Sequence, residues 1–169
     1  MRIHGVVLGF MLALLAFVAG CGESSEASDT GSDTGVATQL QFTAKTVDGE
    51  AFDGTQLAGT PTVVWFWKPE CAHCKKEAGT IAAMAEAYDN ANFVGIAGQS
   101  NADAMRAFVE EYGTGGFPNL VDVDGDVSLK FGVTQQPAYA LVGADGEVTT
   151  EQGNLTEDAV ASWLESQQA

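Results

Sequence analysis

The chain has 169 residues, 46% of them hydrophobic, which suits one domain with a real core and gives no sign of a second. Its 7 basic and 23 acidic residues give a formal net charge of -16, which argues against nucleic acid and against electrostatic docking on anionic lipid. What remains is a solvated acidic surface on a domain that works by some other chemistry.

Residues 1–20 read as a secretory leader. Arg2 is its only Lys or Arg, and an apolar or glycine run from Val6 to Ala19 follows. That run is short of the roughly 20 residues that span a bilayer core, but it fits a signal h-region. The leader ends Val18-Ala19-Gly20-Cys21, which resembles the lipobox of bacterial lipoproteins. The resemblance implies that Cys21 is acylated and becomes the mature N-terminus, anchoring the protein to a membrane outside the cytoplasm; the alternative is an ordinary cleaved signal with a stray cysteine. With Cys21 lipidated, Cys71 and Cys74 are the only free thiols. Residues 21–38 are small, acidic and have almost nothing to bury, so they read as the lipidated cysteine and a disordered tether with a reach of about 20 to 25 Å. The globular domain is expected over 39–169.

From Leu40 short apolar runs alternate with amphipathic segments, the pattern of a sheet with covering helices. Leu40 to Thr46 alternates like an edge strand, and Val47-Asp48-Gly49-Glu50 supplies a hairpin turn into Ala51 and Phe52. Thr62 to Trp67 is continuously β-branched or aromatic, as expected for a central strand buried on both faces. From Ala72 to Tyr88 the positions Cys74, Ala78, Ile81, Ala85 and Tyr88 recur at three and four, which describes one face of a helix. Asn92 to Ala97 reads as a strand, Asn101 to Tyr112 as a helix with Ala104, Phe108 and Val109 inward, Asn119 to Asp122 as a strand and Asp124 to Phe131 as a short helix. Pro137 opens a strand from Ala138 to Gly143, Asp145-Gly146 turns it into Glu147 to Thr150, and Thr156 caps a final helix to about Gln167, with Val160, Trp163 and Leu164 packing. The order predicts an α/β fold with parallel crossovers and a terminal hairpin.

The chemistry sits at Cys71-Ala72-His73-Cys74. A cysteine pair with this spacing at a helix start places the first sulfur beside unpaired backbone N–H groups and the second about one turn inside, so the helix end favours a thiolate at Cys71. Cys71 is then the exposed nucleophile, and Cys74 resolves the mixed disulfide. Lys68, Lys75 and Lys76 flank the pair and add to the same field, as does His73, the only histidine outside the leader. Glu70 opposes it. Glu77, three residues after Cys74, falls on the same helical face, where a carboxylate can relay protons to that thiol; the plainer reading is a surface glutamate paired with a lysine.

Through the aromatic strand ending Phe66-Trp67, the Cys71-to-Cys74 helix start and the distant Gln136-Pro137 step, the chain resembles the thioredoxin superfamily. It is closer still to the extracytoplasmic TlpA, ResA and DsbE group, through Cys74-Lys75-Lys76-Glu77, the approach from Leu57 to Trp67, and a β-α insertion between Phe93 and Asp122. The resemblance covers about Leu40 to Gln167. It implies a thioredoxin-like fold, a central mixed β-sheet flanked by helices with an N-terminal β-hairpin and that β-α insertion. It also implies a cis Pro137 facing the cysteines, a Gln136 backbone that pairs with a substrate strand, and a proton role for Glu77. Independently of the resemblance, Trp65, Trp67 and Trp163 read as core, with Trp67 also bordering the site. The function implied is thiol–disulfide exchange on cysteine-containing exported proteins, apocytochrome c among them, by a monomer reset by a membrane redox partner, with no cofactor. Two departures from thioredoxin itself bear on redox direction: Glu70 replaces a tryptophan near the first cysteine, and Trp65 stands where a buried aspartate is usual. Ala72-His73 between the cysteines favours an oxidant; Cys74-Lys75-Lys76-Glu77 favours a reductant, the direction slightly preferred.

Other chemistries fit less well. Peroxiredoxins need a proline and a threonine or serine where this chain has Val64 and Lys68. Copper handling by Cys71, Cys74 and His73 is the alternative from another class, since Cu(I) accepts few soft ligands; structural zinc wants four. Asp122 to Asp126 resembles a calcium loop only in part, because Val127 and Val133 replace its glycine and its last carboxylate, and a turn with a helix cap accounts for it.

Overall fold

A computed structural model describes residues 36–167. The leader, Cys21 and most of the tether lie outside them. Seven strands form one mixed sheet around β3 (Thr62–Trp67), whose six residues are all buried. The strands are β1 (Thr43–Thr46), β2 (Ala51–Asp53), β3, β4 (Asn92–Gly98), β5 (Asn119–Asp122), β6 (Ala138–Val142) and β7 (Val148–Gln152), in the spatial order β2-β1-β5-β4-β3-β6-β7. β3 runs parallel to β4 and antiparallel to β6, and β4 runs parallel to β5, so the crossovers expected from the sequence are present together with two antiparallel edges. The fold is thioredoxin-like, with the hairpin β1–β2 at one edge and β4, a helix and β5 forming the insertion.

Alternation along β3 divides the core. Val63, Trp65 and Trp67 face α1 (Ala72–Ala87), α2 (Ala102–Tyr112) and α4 (Glu157–Ser166), while Val64 and Phe66 join Val94, Ile96 and Leu120 against α3 (Asp126–Lys130) and the N-terminal segment. Trp65 and Trp67 are stacked at 5.5 Å between ring centroids, and Phe108 from α2 stacks on Trp67 at 4.3 Å. Burying such aromatic side chains stabilises the fold by about 1.5 to 3 kcal/mol each, before pair geometry adds to it.

The sequence differs from the structure at several boundaries. Leu40 does not belong to the first strand: Thr38–Leu40 is a 3₁₀ turn that places Leu40 in the core, and β1 starts only at Thr43. The domain start expected at 39 falls inside that turn, and Val36 and Ala37 already pack against the core. On α2 the inward residues are Met105 and Phe108, with Ala104 and Val109 only half-buried. The helix is rotated so that Arg106 beside that row reaches Val47, donating to its carbonyl, and pairs with Asp48. β7 runs to Gln152 because it stays in register with β6 down to Ala138.

Helix starts are set by side-chain caps. Asn101 accepts from Ala104 N–H at 3.0 Å, and Thr156 accepts from Ala159 N–H at 3.2 Å. Asp122 uses its whole carboxylate on α3, accepting from Val127 N–H, Ser128 N–H and Ser128 Oγ at 3.0, 2.9 and 2.7 Å, so the turn-and-cap reading of this stretch holds.

One glycine matters to the site. A Cβ on Gly95 would collide with the Asn119 carboxamide and lie 2.8 Å from the Trp67 indole nitrogen. Only a residue without a side chain lets Asn119 cross β4 to accept from Trp67. Gly95→Ala is expected to destabilise the protein by about 1 to 3 kcal/mol, the usual range for overpacking a tight core, measured as a fall in the urea midpoint.

Candidate active site

β3 must end where its buried faces end, at Trp67, and the chain then turns through Lys68, Pro69 and Glu70 into α1. Two hydrogen bonds hold that turn against the end of β4: Lys68 Nζ donates to Gln99 Oε1 at 3.0 Å, and Ser100 Oγ donates to Glu70 Oε1 at 3.1 Å. Gln99 itself has a left-handed backbone, φ 53°. Of the three lysines expected beside the cysteines, Lys68 is therefore turned toward Gln99, while Lys75 and Lys76 are exposed on α1.

Cys71 is the N-cap of α1, and its Sγ accepts the Cys74 N–H at 3.1 Å. The two cysteines are joined in a disulfide with Cα atoms 5.2 Å apart. Their exposures differ: Cys71 keeps 8% of its surface open, and Cys74 none. Antiparallel register pairs Phe66 with Ala138, so the Gln136–Pro137 bond, which is cis, lies at the same end of the sheet as the cysteines. Pro137 is buried, and Gln136 is half-buried with its Oε1 unpartnered, on the wall of a groove of about 270 Å³ shared with Gly98, Ser128, Leu129 and Val133.

Glu77 is not a surface glutamate. It is 9% exposed, and its Oε1 accepts from the Trp65 indole N–H at 2.9 Å. Oε2 has no partner; beside it the Tyr139 hydroxyl, also buried, has none either. Burial pushes the Glu77 carboxyl above the usual glutamate range, against the pull of Tyr139, Trp65 and the nearby His73. Tyr139 is pushed far up, first by burial and then by Glu77. His73 is exposed and lines a groove of about 400 Å³ with Lys76, Glu77, Leu155 and Thr156.

Trp67 does not border the site as a contact surface. It is fully buried, and its indole N–H donates to Asn119 Oδ1 at 3.1 Å while Asn119 Nδ2 donates to the carbonyls of Thr114 and Phe117. Its place is beneath the cysteines, in the core cluster that contains both of them. Asn119 and Tyr139 were not legible as site residues. The signal for Tyr139 is its pairing with Trp65 across β3 and β6, which needs the strand order; for Asn119 it is a polar residue opening a buried strand. Among the described residues, no group of three or more His, Cys, Asp or Glu side chains is placed to hold a metal ion.

Comparison with known proteins agrees with this geometry. The AhpC/TSA family matches residues 37–151. The soluble secreted antigen MPT53 of Mycobacterium tuberculosis is 43% identical over 111 residues, 66% of this chain and 64% of the antigen; the match thus spans somewhat less than two thirds of that relative. The solved structure of MTB dsbF, in mixed oxidised and reduced forms, is 42% identical with a TM-score of 0.75 and covers 78% of this chain and 98% of that one. A secreted Mycobacterium tuberculosis disulfide oxidoreductase described as homologous to E. coli DsbE is 37% identical with a TM-score of 0.70, over 76% and 97% of the two chains.

The raised pKa of Glu77 has a sign in stability. A carboxyl that is harder to ionise in the folded state costs nothing below its unfolded value, about 4.5, and lowers stability as pH climbs through and above it. Glu77→Gln is therefore expected to be more stable than the wild type at neutral pH, with the gap closing below about pH 4.5, in urea titrations at a series of pH values.

Proposed function

The chain belongs to the AhpC/TSA family, and from that footing we propose that it is a thiol–disulfide oxidoreductase working through Cys71 and Cys74. The observation that carries the reading is the unequal exposure of two bonded sulfurs at a helix start: Cys71 keeps a small accessible edge for a partner sulfur, whereas Cys74 has no surface open to solvent. In the reducing direction the Cys71 thiolate attacks a substrate disulfide and one substrate thiolate leaves. Cys74 then gives its proton to Glu77 and attacks Cys71 Sγ, the second substrate thiolate leaves, and the protein is left as the disulfide. Gln136 and Pro137, at the same end of the sheet, offer backbone to an extended substrate segment.

Reduction is the direction put forward first, because a buried carboxyl one turn from a buried thiol serves the step in which Cys74 loses its proton. Oxidation is the second reading, favoured by His73 beside the helix start, where a positive charge would stabilise the Cys71 thiolate and so the reduced form. Substrates are cysteine-bearing proteins outside the cytoplasm, apocytochrome c among them, and a membrane partner resets the couple. The leader and the secreted relatives support a place outside the cytoplasm, and the lipobox-like Val18 to Cys21 supports a tether through lipid on Cys21; the protein would act as a monomer.

The reduction potential of the pair, equilibrated against glutathione or dithiothreitol, tests both readings. A value near about -270 mV marks an electron donor and one near about -120 mV an oxidant, whereas the absence of any reversible couple would put copper binding by the two thiols in its place. A Cys74→Ser variant is expected to accumulate mixed disulfides with client proteins and Cys71→Ser to accumulate none, scored on non-reducing gels. Trapping by Cys71→Ser alone would reverse the roles of the two sulfurs.

A further inference from the structure

Tyr139 is a costly residue for its position if packing is all it does. It is fully buried, and phenylalanine would fill the same space without a hydroxyl that must leave water. Its hydroxyl makes no well-formed hydrogen bond, although the Glu77 carboxyl and the Leu155 backbone both lie close enough to act on it, and Glu77 Oε2 is likewise buried without a well-formed partner. The two donors come from residues paired across adjacent strands, Trp65 on β3 and Tyr139 on β6, so both present themselves to the carboxyl at one level of the sheet. Trp65 already occupies Oε1.

Resting on the Glu77 proton role put forward above, we propose that Tyr139 is a positioning residue for the Cys74 step, its hydroxyl donating to the Glu77 oxygen that Trp65 leaves free whenever Glu77 is charged. In that step Cys74 passes from thiol to thiolate as Glu77 passes from carboxylate to carboxylic acid, and the thiolate closes the Cys71–Cys74 bond. Two fixed donors hold the charged carboxylate in a place where burial opposes its charge. The groove lined by His73, Lys76, Glu77, Leu155 and Thr156 gives the proton its way out to water. The charged and titratable groups facing Glu77 are His73 and Lys76 from α1, Tyr139 from β6, and Glu157 at the start of α4 on the far wall of the groove, with Cys74 one turn away.

A two-phase reaction separates this role from packing. The reduced chain carrying Cys21→Ser, with Cys71 and Cys74 as its only thiols, is mixed with dithionitrobenzoate; the first thionitrobenzoate released reports attack by Cys71 and the second reports attack by Cys74. Tyr139→Phe is expected to leave the first phase unchanged and to move the acid limb of the second to higher pH. The loss is on the order of threefold to tenfold on that limb, with none on the alkaline plateau. Carboxyl ¹³C titration of Glu77 should show its midpoint raised in the same variant. A second phase identical to wild type in Tyr139→Phe, while Glu77→Gln abolishes the limb, would overturn the role of Tyr139 and leave Glu77 standing. A limb that survives in Glu77→Gln would remove the Glu77 role and that of Tyr139 together. Equal slowing of both phases at every pH would reduce Tyr139 to packing.

Discussion

Everything at the site depends on β3 being buried on both faces. Six consecutive residues without a solvent-facing position can lie only between two other strands and beneath helices on each side, and the order β4-β3-β6 supplies this. Such a strand has to stop where the covering layers stop. The chain emerges at Trp67 and must immediately satisfy a new helix end, whose first N–H groups lack acceptors. Here the acceptor is the sulfur of Cys71. A reactive thiol thus stands at the mouth of the core because the core's geometry puts a helix start there, and the cis Gln136–Pro137 bond arrives at the same end because β6 runs antiparallel to β3.

Much of this was legible in the sequence, for reasons that differ by element. Thr62 to Trp67 announced itself by composition, α1 by its spacing of three and four, and the cysteine pair by its position between them. Asp122 was readable as a helix cap because the alternative, a calcium loop, lacked its other ligands. What failed were features fixed by long-range contact. Leu40 looks like a strand residue by alternation, but the packing of Phe42 and Phe52, stacked at 6.4 Å, bends the preceding segment into a turn. Met105 was passed over on α2 because periodicity gives a face only to within one residue, and the reach of Arg106 to Val47 and Asp48 chose between the options. Trp67 was readable as core, but the contact that holds it there comes from Asn119, 52 residues away, and was not.

Glu77 shows where local preference yields to chemistry. A carboxyl in this environment loses hydration that one indole N–H does not restore, and a neutral side chain would fill the place at lower cost. Its neighbours are nonetheless arranged to receive it: Trp65 on the strand donates its indole N–H to the acid supplied from the helix. That carboxyl stands three residues along α1 from the buried sulfur. Polar groups that conflict with an otherwise consistent core mark sites under functional constraint.

The burial of Trp65 and Trp67 in the same cluster as Cys71 and Cys74 gives the protein an optical character of its own. A disulfide quenches a neighbouring excited indole far more strongly than a pair of thiols does, and Trp163 on α4 is the only other indole in the chain. The molecule's near-ultraviolet emission therefore brightens and dims with the state of its own sulfur pair. Because one of the two indoles also shares its N–H with a titrating carboxyl, the colour of that light carries the proton as well as the electrons.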